Sequence, residues 1–328
     1  MKKIKSDPFY NTDNPLLSDS SQLDIFKGKT FLDFNKIIGL PVKNGKEHPI
    51  YDYELDVIEK IESNRIIWIK RSRGIGITEL VLRYLAYKIV SSNELDYKKI
   101  MIVSGTMLKH ANDVKEIIQS LFERRFPLIQ LESKFTELWI KNTNLICMPS
   151  RNVKDLRGYT DVSYFFIDEA DYFEPSVNNE LLYSITAYEE KSNCTTIIAS
   201  TPNRTGGLFE CIEKDLNSKY EKIFLDYIVG LDKIYDRKDI EKKKNEPEFL
   251  REYAGQYLGR VGNVFLPSQI QHCIELGNEY SIDKIPVSLY TLKAVGIDPG
   301  FSSSATGIVV LEHIKPELKE DKSVVIYL

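Results

Sequence analysis

The stretch "IKRSRGIGIT" (residues 69–78) decides how the chain is read. It follows an apolar run, "RIIWIK" (65–70), and opens "TELVLRYLAYKIV" (78–90), whose apolar stripe at Leu80, Val81, Tyr84, Leu85 and Ile89 predicts a helix. A glycine turn between a strand and a helix is the setting of a phosphate-binding loop, GxxxxGK[ST]. Here Ile77 stands where the lysine belongs, and Arg71 where the first glycine belongs. Gly74 and Gly76 permit the tight turn. The backbone N–H groups of Ser72 to Ile77, Ile75 among them, and the helix start offer an anion site, and Thr78 supplies a hydroxyl for Mg2+. Lys70, Arg71 and Arg73 are expected to supply the charge that the absent lysine does not. Alone, the loop is a weak signal, because an ordinary glycine turn can look the same.

Working outward, "KIMIVSG" (99–105) reads as the next strand, followed by a helix carrying Val114, Ile117, Ile118, Leu121 and Phe122. "SYFFID" (163–168) and "TTIIAS" (195–200) are nearly continuous apolar strands, the pattern of a sheet with both faces covered. Strands alternating with helices predict an α/β fold, a mostly parallel sheet flanked by helices, of the P-loop NTPase (RecA/ASCE-like) kind. "FFIDEAD" brings Asp168 and Glu169 to the carboxyl end of a strand, where open α/β sheets bind ligands. Asp168 is the candidate Mg2+ ligand and Glu169 the candidate base for an attacking water. An acidic strand end that merely caps the next helix is the bland alternative. Ser200 and Thr201 end the third buried strand, where small hydroxyls can sense a γ-phosphate; by itself that is a common strand-to-turn junction.

The order of these pieces carries a resemblance. Strand–RSRGIGIT–helix, "LRGYTDVSYFFIDEAD", "IIASTPNRTGGLFE" and "FLREYAGQYLG" together resemble the large terminase subunit of tailed viruses, the ATPase that packages DNA into capsids, over roughly residues 48–312. The resemblance implies ATP and Mg2+ as cofactors. It implies double-stranded DNA, a small terminase subunit and a portal protein on a procapsid as partners, a homo-oligomeric ring when assembled, and the host cytoplasm as location. It places Arg71 at the position that stands in for the loop lysine and Arg73 at that of a cis arginine finger. Asp168 and Glu169 become the Walker B pair, and Ser200 and Thr201 the coupling motif. "HPIYDYELDVIEKI" (48–61) resembles the adenine-reading segment, with Tyr51 or Tyr53 to stack on the base and Glu54 near a position that relatives fill with glutamine. "AVGIDPGFSSSATGIVVLEH" resembles the first hairpin of an RNase H-like nuclease, in which Asp298 is both catalytic and the first carboxylate of a two-metal site. An Asp-Pro-Gly β-turn is the alternative reading of the same residues.

The expected organisation is an N-terminal arm (1–48) with little core of its own, a P-loop ATPase domain (49–260) closed by a charged helical stretch (236–259), a linker (261–291) and a partial nuclease domain (292–328). Two-metal chemistry needs carboxylates from later strands, so the chain as given is expected not to cut DNA. The formal charge of −4 means that any DNA contact comes from a local patch or from ring assembly. Arg124, Arg125, Arg157 and Arg204 are candidates for contacting DNA or a neighbouring subunit's nucleotide, Arg157 first. The basic run 237–244, interrupted by acids, reads as a solvated helix face. The four cysteines lack metal-ligand spacing, and Cys147 and Cys194 read as buried thiols of a reducing compartment. No signal peptide or membrane span is expected. Other readings are a helicase of the same class, which needs a second RecA-like domain, a nucleotide-gated scaffold without turnover, and a stand-alone nuclease.

Overall fold

The computed structural model describes residues 21–257, except 44, 127, 128 and 130, together with 272 and 275 and the backbone of strands at 291–298, 307–314 and 322–327. A 3-10 turn (Ser21–Phe26) and α1 (Phe31–Ile38) lead to a small hairpin of β1 (Val42–Lys43) and β2 (Lys46–Glu47), then α2 (Asp52–Ser63). Alternation follows: β3 (Ile66–Arg71), α3 (Ile77–Ser91), β4 (Lys99–Ser104) and α4 (Leu108–Arg125). Next come β5 (Glu132–Lys134), β6 (Glu137–Ile140), β7 (Thr143–Met148), β8 (Val162–Asp168), α5 (Pro175–Ser192) and β9 (Thr195–Ser200). The unit closes with α6 (Leu208–Lys214), β10 (Glu221–Leu225), α7 (Arg237–Lys243) and α8 (Phe249–Glu252).

Eight of these strands form one sheet in the order β10-β3-β9-β8-β4-β7-β6-β5. The first six run parallel; the last two pairings, β7 with β6 and β6 with β5, are antiparallel and join strands that follow one another in the chain. Strand β9 lies between the loop strand β3 and the acidic strand β8, so three candidate segments end side by side at one carboxyl edge. Because side chains alternate along a strand, the apolar runs divide between two cores. Ile67, Ile69, Ile100, Ile102 and Phe166 fill one face, and Trp68, Met101, Val103, Phe165 and Ile167 the other. A parallel sheet buried on both faces was the expectation, and it is what forms.

One expectation needs correction. Residues 1–48 are not all an arm: Leu23, Phe26, Phe31, Phe34 and Ile38 are buried in the main core, where Phe26 meets Phe122 edge-on. The apolar spacing 31, 34, 38 is helical, and Thr30 caps α1 by accepting from the Asp33 N–H, a signal hidden by the surrounding turn formers. The remainder of that segment, residues 1–20, lies outside the described residues. The described part of the charged helical stretch (236–257) holds two short helices, divided near Pro247, whose missing N–H cannot continue the ladder. On α7 only Ile240 is buried, as a solvated face requires.

A second compact unit spans Gly262–Leu328. It contains β11 (Thr291–Asp298), β12 (Gly307–Ile314) and β13 (Lys322–Tyr327) in antiparallel order β11-β12-β13, the hairpin and third strand expected. Asp298 ends β11 opposite Gly307. Its side chain, the turn after it, most of the linker and Cys273 lie outside the described residues. Among the described residues no helix is long and apolar enough to cross a membrane.

Candidate functional site

The loop after β3 is held by its backbone and charged by one arginine. Gly74 and Gly76 have φ of 74° and 95°, in the left-handed region that glycine enters without strain, and Gly76 starts α3. Ile75 and Ile77 are fully buried, so the side chain in the lysine position anchors the loop to the core and carries no charge to its open side. Arg71 carries the charge. Its Nη2 donates to Thr78 Oγ1 at 3.2 Å, Asp168 Oδ1 at 3.1 Å and Glu169 Oε1 at 2.8 Å. Thr78 in turn donates to Asp168 Oδ2 at 3.0 Å. Burial opposes the charge on Arg71, but the carboxylates of Asp168 and Glu169 overcome it and hold its pKa above the ordinary value.

Strand alternation decides which basic residue reaches this cluster. Arg71 lies on the same face as Ile67 and Ile69; Lys70 lies on the opposite one with Trp68. Lys70 pairs with Glu213 of α6 at 2.6 Å, and its amine sits 4.9 Å from the Tyr257 ring. It is therefore not brought to the loop's charge cluster, contrary to the expectation that all three basic residues would be. Ser72 is fully buried, with its hydroxyl donating to the Tyr253 carbonyl and its N–H to that of Leu225. Arg73 is 72% exposed, with Nη1 3.4 Å from Glu252.

Tyr53 is buried, and its hydroxyl donates to the Ile75 carbonyl at 2.9 Å. Its ring lies parallel to that of Tyr51, with centroids 5.9 Å apart. That arrangement braces the loop; Tyr51, the more exposed of the two rings expected to stack on a base, donates its hydroxyl to the Lys233 carbonyl at 3.0 Å. Glu54 is also buried: Oε2 accepts the Tyr51 N–H at 2.8 Å, and burial raises its pKa to about 7. Arg157 pairs with Glu180 on the surface.

Glu169 adopts a left-handed conformation (φ 58°, ψ 37°), uncommon for a residue with a side chain and a frequent mark of functional positions. Its Oε2 accepts from Ser200 Oγ at 3.2 Å and from Thr201 N and Oγ1 at 3.4 Å. The acidic pair and the hydroxyl pair thus meet although 31 residues separate Glu169 from Ser200.

Two residues that the sequence reading passed over complete the arrangement. Asp171 is buried and accepts backbone N–H groups from Asn203 at 2.7 Å and Phe209 at 3.1 Å, tying the turn after β9 and the start of α6 to β8. Burial raises its pKa, and those N–H groups pull it back. Its signal was the second Asp of "DEAD", which caps α6 rather than the next helix in the chain. Glu252, also buried, has no local signal in "FLRE". A pocket of about 660 Å3 opens at this edge, with Arg73, Glu169, Thr201, Tyr172, Arg251 and Glu252 among its lining. A second, of about 500 Å3, lies on the other side of Arg73 and Gly74 against the β1–β2 hairpin.

The donor set suits a polyphosphate with a hard divalent cation. Thr78 and Asp168 offer oxygen ligands of the kind Mg2+ takes. The buried Nε of Arg71 has no partner, a polar atom left over beside the loop.

No protein-family model and no curated protein matches the sequence. Solved structures do. The large terminase of bacteriophage HK97 aligns with a TM-score of 0.56 at 14% identity, over 92% of this chain and 68% of that one. The large terminase of a thermophilic bacteriophage aligns at 0.52 and 12% identity, over 85% of this chain and 69% of that one. The ATPase domain of the Thermus phage P74-26 large terminase, in an arginine-to-alanine mutant, aligns at 0.50 and 14% identity, over 69% of this chain and 98% of that one. The chain has the fold of a large terminase ATPase domain. Within that fold, the loop after β3, the acidic end of β8 and the hydroxyl end of β9 share one edge.

Proposed function

We propose that the chain is an ATPase of the large terminase type, hydrolysing ATP to drive double-stranded DNA into a procapsid. The observation that carries this reading is the convergence of Arg71, Thr78, Asp168 and Glu169. It joins a glycine loop to an acidic strand end 97 residues away, on a fold shared with terminase ATPase domains. In this reading Thr78 and Asp168 hold Mg2+, which when bound supplies positive charge to the phosphates. The loop N–H groups and Arg71 bind the triphosphate, and Arg73, from its exposed position, meets the charge that builds on the γ-phosphate. Glu169 takes a proton from, or orients, the attacking water, and Ser200 and Thr201 hold its carboxylate in place.

The finer proposals follow the same resemblance. A ring of copies on a portal, a small terminase subunit as partner, and a nuclease-like unit beginning at β11 with Asp298 as its first metal ligand all fit a packaging motor. Phosphate release measured with and without double-stranded DNA tests the core of the reading. Wild type should turn over, and Glu169→Gln should lose at least about a hundredfold in kcat while still binding a fluorescent ATP analogue. Wild-type-like hydrolysis by Glu169→Gln would sink the site assignment, and binding without any turnover by the wild type would make the chain a scaffold.

A further inference from the structure

The charge relay around the loop does not stop at Glu169. Thr201 Oγ1 touches both Glu169 and, at 3.3 Å, the Tyr172 hydroxyl; that hydroxyl donates to Glu252 Oε1 at 3.4 Å. Glu252 Oε2 in turn faces Arg73 Nη1 at 3.4 Å. The same segment grips the loop through its backbone. The Arg73 N–H donates to the Glu252 carbonyl at 2.7 Å and Ser72 Oγ donates to the Tyr253 carbonyl; from before α7, the Tyr235 side chain adds a hydroxyl bond to the Arg73 carbonyl at 2.7 Å. Glu252 is 6% exposed, whereas the side chain of Arg73 is 72% exposed. An exposed guanidinium on a flexible stem has no fixed position of its own; a buried carboxylate facing it supplies one. Arg251, donating its Nε to Glu252 Oε1 at 2.9 Å, leaves the carboxylate a second cation, so Arg73 can depart without stranding a buried charge.

We propose that Glu252 is the positioning residue for Arg73. It holds the guanidinium in the pocket that contains Glu169 until a phosphate draws it away, and Arg251 remains to neutralise it. This rests on the proposed ATPase reading and adds to it a residue from the far end of the unit. The neutral variant Glu252→Gln keeps the backbone grip and loses only the charge. Arg73 is then both freer to meet a phosphate and less well placed to act on it.

A double-mutant comparison tests this. Glu252→Gln is expected to lower kcat about tenfold with KM for ATP unchanged or lower by a few-fold, and to bind a non-hydrolysable ATP analogue a few-fold more tightly than wild type. In the Arg73→Ala background the same substitution should change neither quantity. An equal fall in kcat with or without Arg73, or a rise in KM accompanied by a lower Tm, overturns the proposal and makes Glu252 a structural residue. Glu252→Asp, which keeps the charge on a shorter stem, is expected to fall between wild type and Glu252→Gln and serves the same comparison if Glu252→Gln does not fold. A wild type without turnover would refute the proposed function, not this inference. The analogue affinities then decide, since tightening that appears only when Arg73 is present supports positioning, and its absence refutes it.

Discussion

Glu54 shows how a single burial changes chemistry. Its carboxyl caps the start of α2, lies about 3.4 Å from the place a Cβ on Gly76 would occupy, and has Glu79 and Arg83 as charged neighbours. With a folded pKa near 7 against 4.5 when exposed, the folded chain keeps a proton that the unfolded chain has lost across that window. Stability therefore falls as pH rises from about 4.5 to about 7 and then levels off. Glu54→Gln removes that fall, so thermal melts should show the variant gaining on wild type between pH 5 and pH 8, by at most about 3 kcal/mol. Parallel curves at the two pH values would refute the burial argument. Arg71 and Arg73, two residues apart, should behave differently. Arg71→Ala leaves Asp168 and Glu169 facing each other without a cation and is expected to cost about 3 kcal/mol in urea melts as well as most ATP affinity. Arg73→Ala, at an exposed position, should cost within about 0.5 kcal/mol and show its effect in kcat. If the two variants gave the same pattern, the roles assigned to them would be wrong.

At the scale of elements, β9 and α6 matter as much as the loop. The turn between them is stitched to β8 by Asp171, and a Cβ on Gly207 would come within 2.8 Å of its Oδ1. Asp171→Asn can accept only one of the two backbone N–H groups and sets its own donors against the other. A loss of about 1–3 kcal/mol is expected, with faster hydrogen exchange at the Asn203 and Phe209 amides. Unchanged protection at both amides would show that the turn is held by something else. α3 is buried nearly all round, Leu82, Arg83 and Ala86 included, because the Ser21–Phe26 turn, α1, α2 and α4 all pack against it. Arg83 survives there by donating to Glu79, Asn35 Oδ1 and the Gly39 carbonyl. Cys147 and Cys194 follow the same logic in the strands, where burial pushes their thiols up to about 12 and about 11, far from reactive thiolates.

For the molecule as a whole, the parallel α/β architecture was legible because its causes are local. Continuous apolar strands, helical stripes and glycine turns each act over a few residues; they placed β3, α3, β4, β8 and β9 within about a residue or two of their observed bounds and indicated α4 by its apolar stripe. The candidate site was legible to the same extent: the glycine loop, the acidic pair and the hydroxyl pair each end an apolar strand, and parallel strands end at one edge. What the sequence could not decide is which side chains meet there. Lys70 and Arg71 look equivalent in one dimension; the pleat sends one toward Glu213 and the other toward Asp168. The antiparallel β5–β7 corner, the recruitment of residues 21–38 into the core, and the approach of Glu252 to Arg73 all depend on pairings between segments far apart in the chain. Such pairings are set by how whole layers pack, not by the residues on either side. The sequence by itself determined the elements and the residue types at their ends. Only the tertiary structure decided which charges are buried together, because burial and partnership are properties of the packed chain.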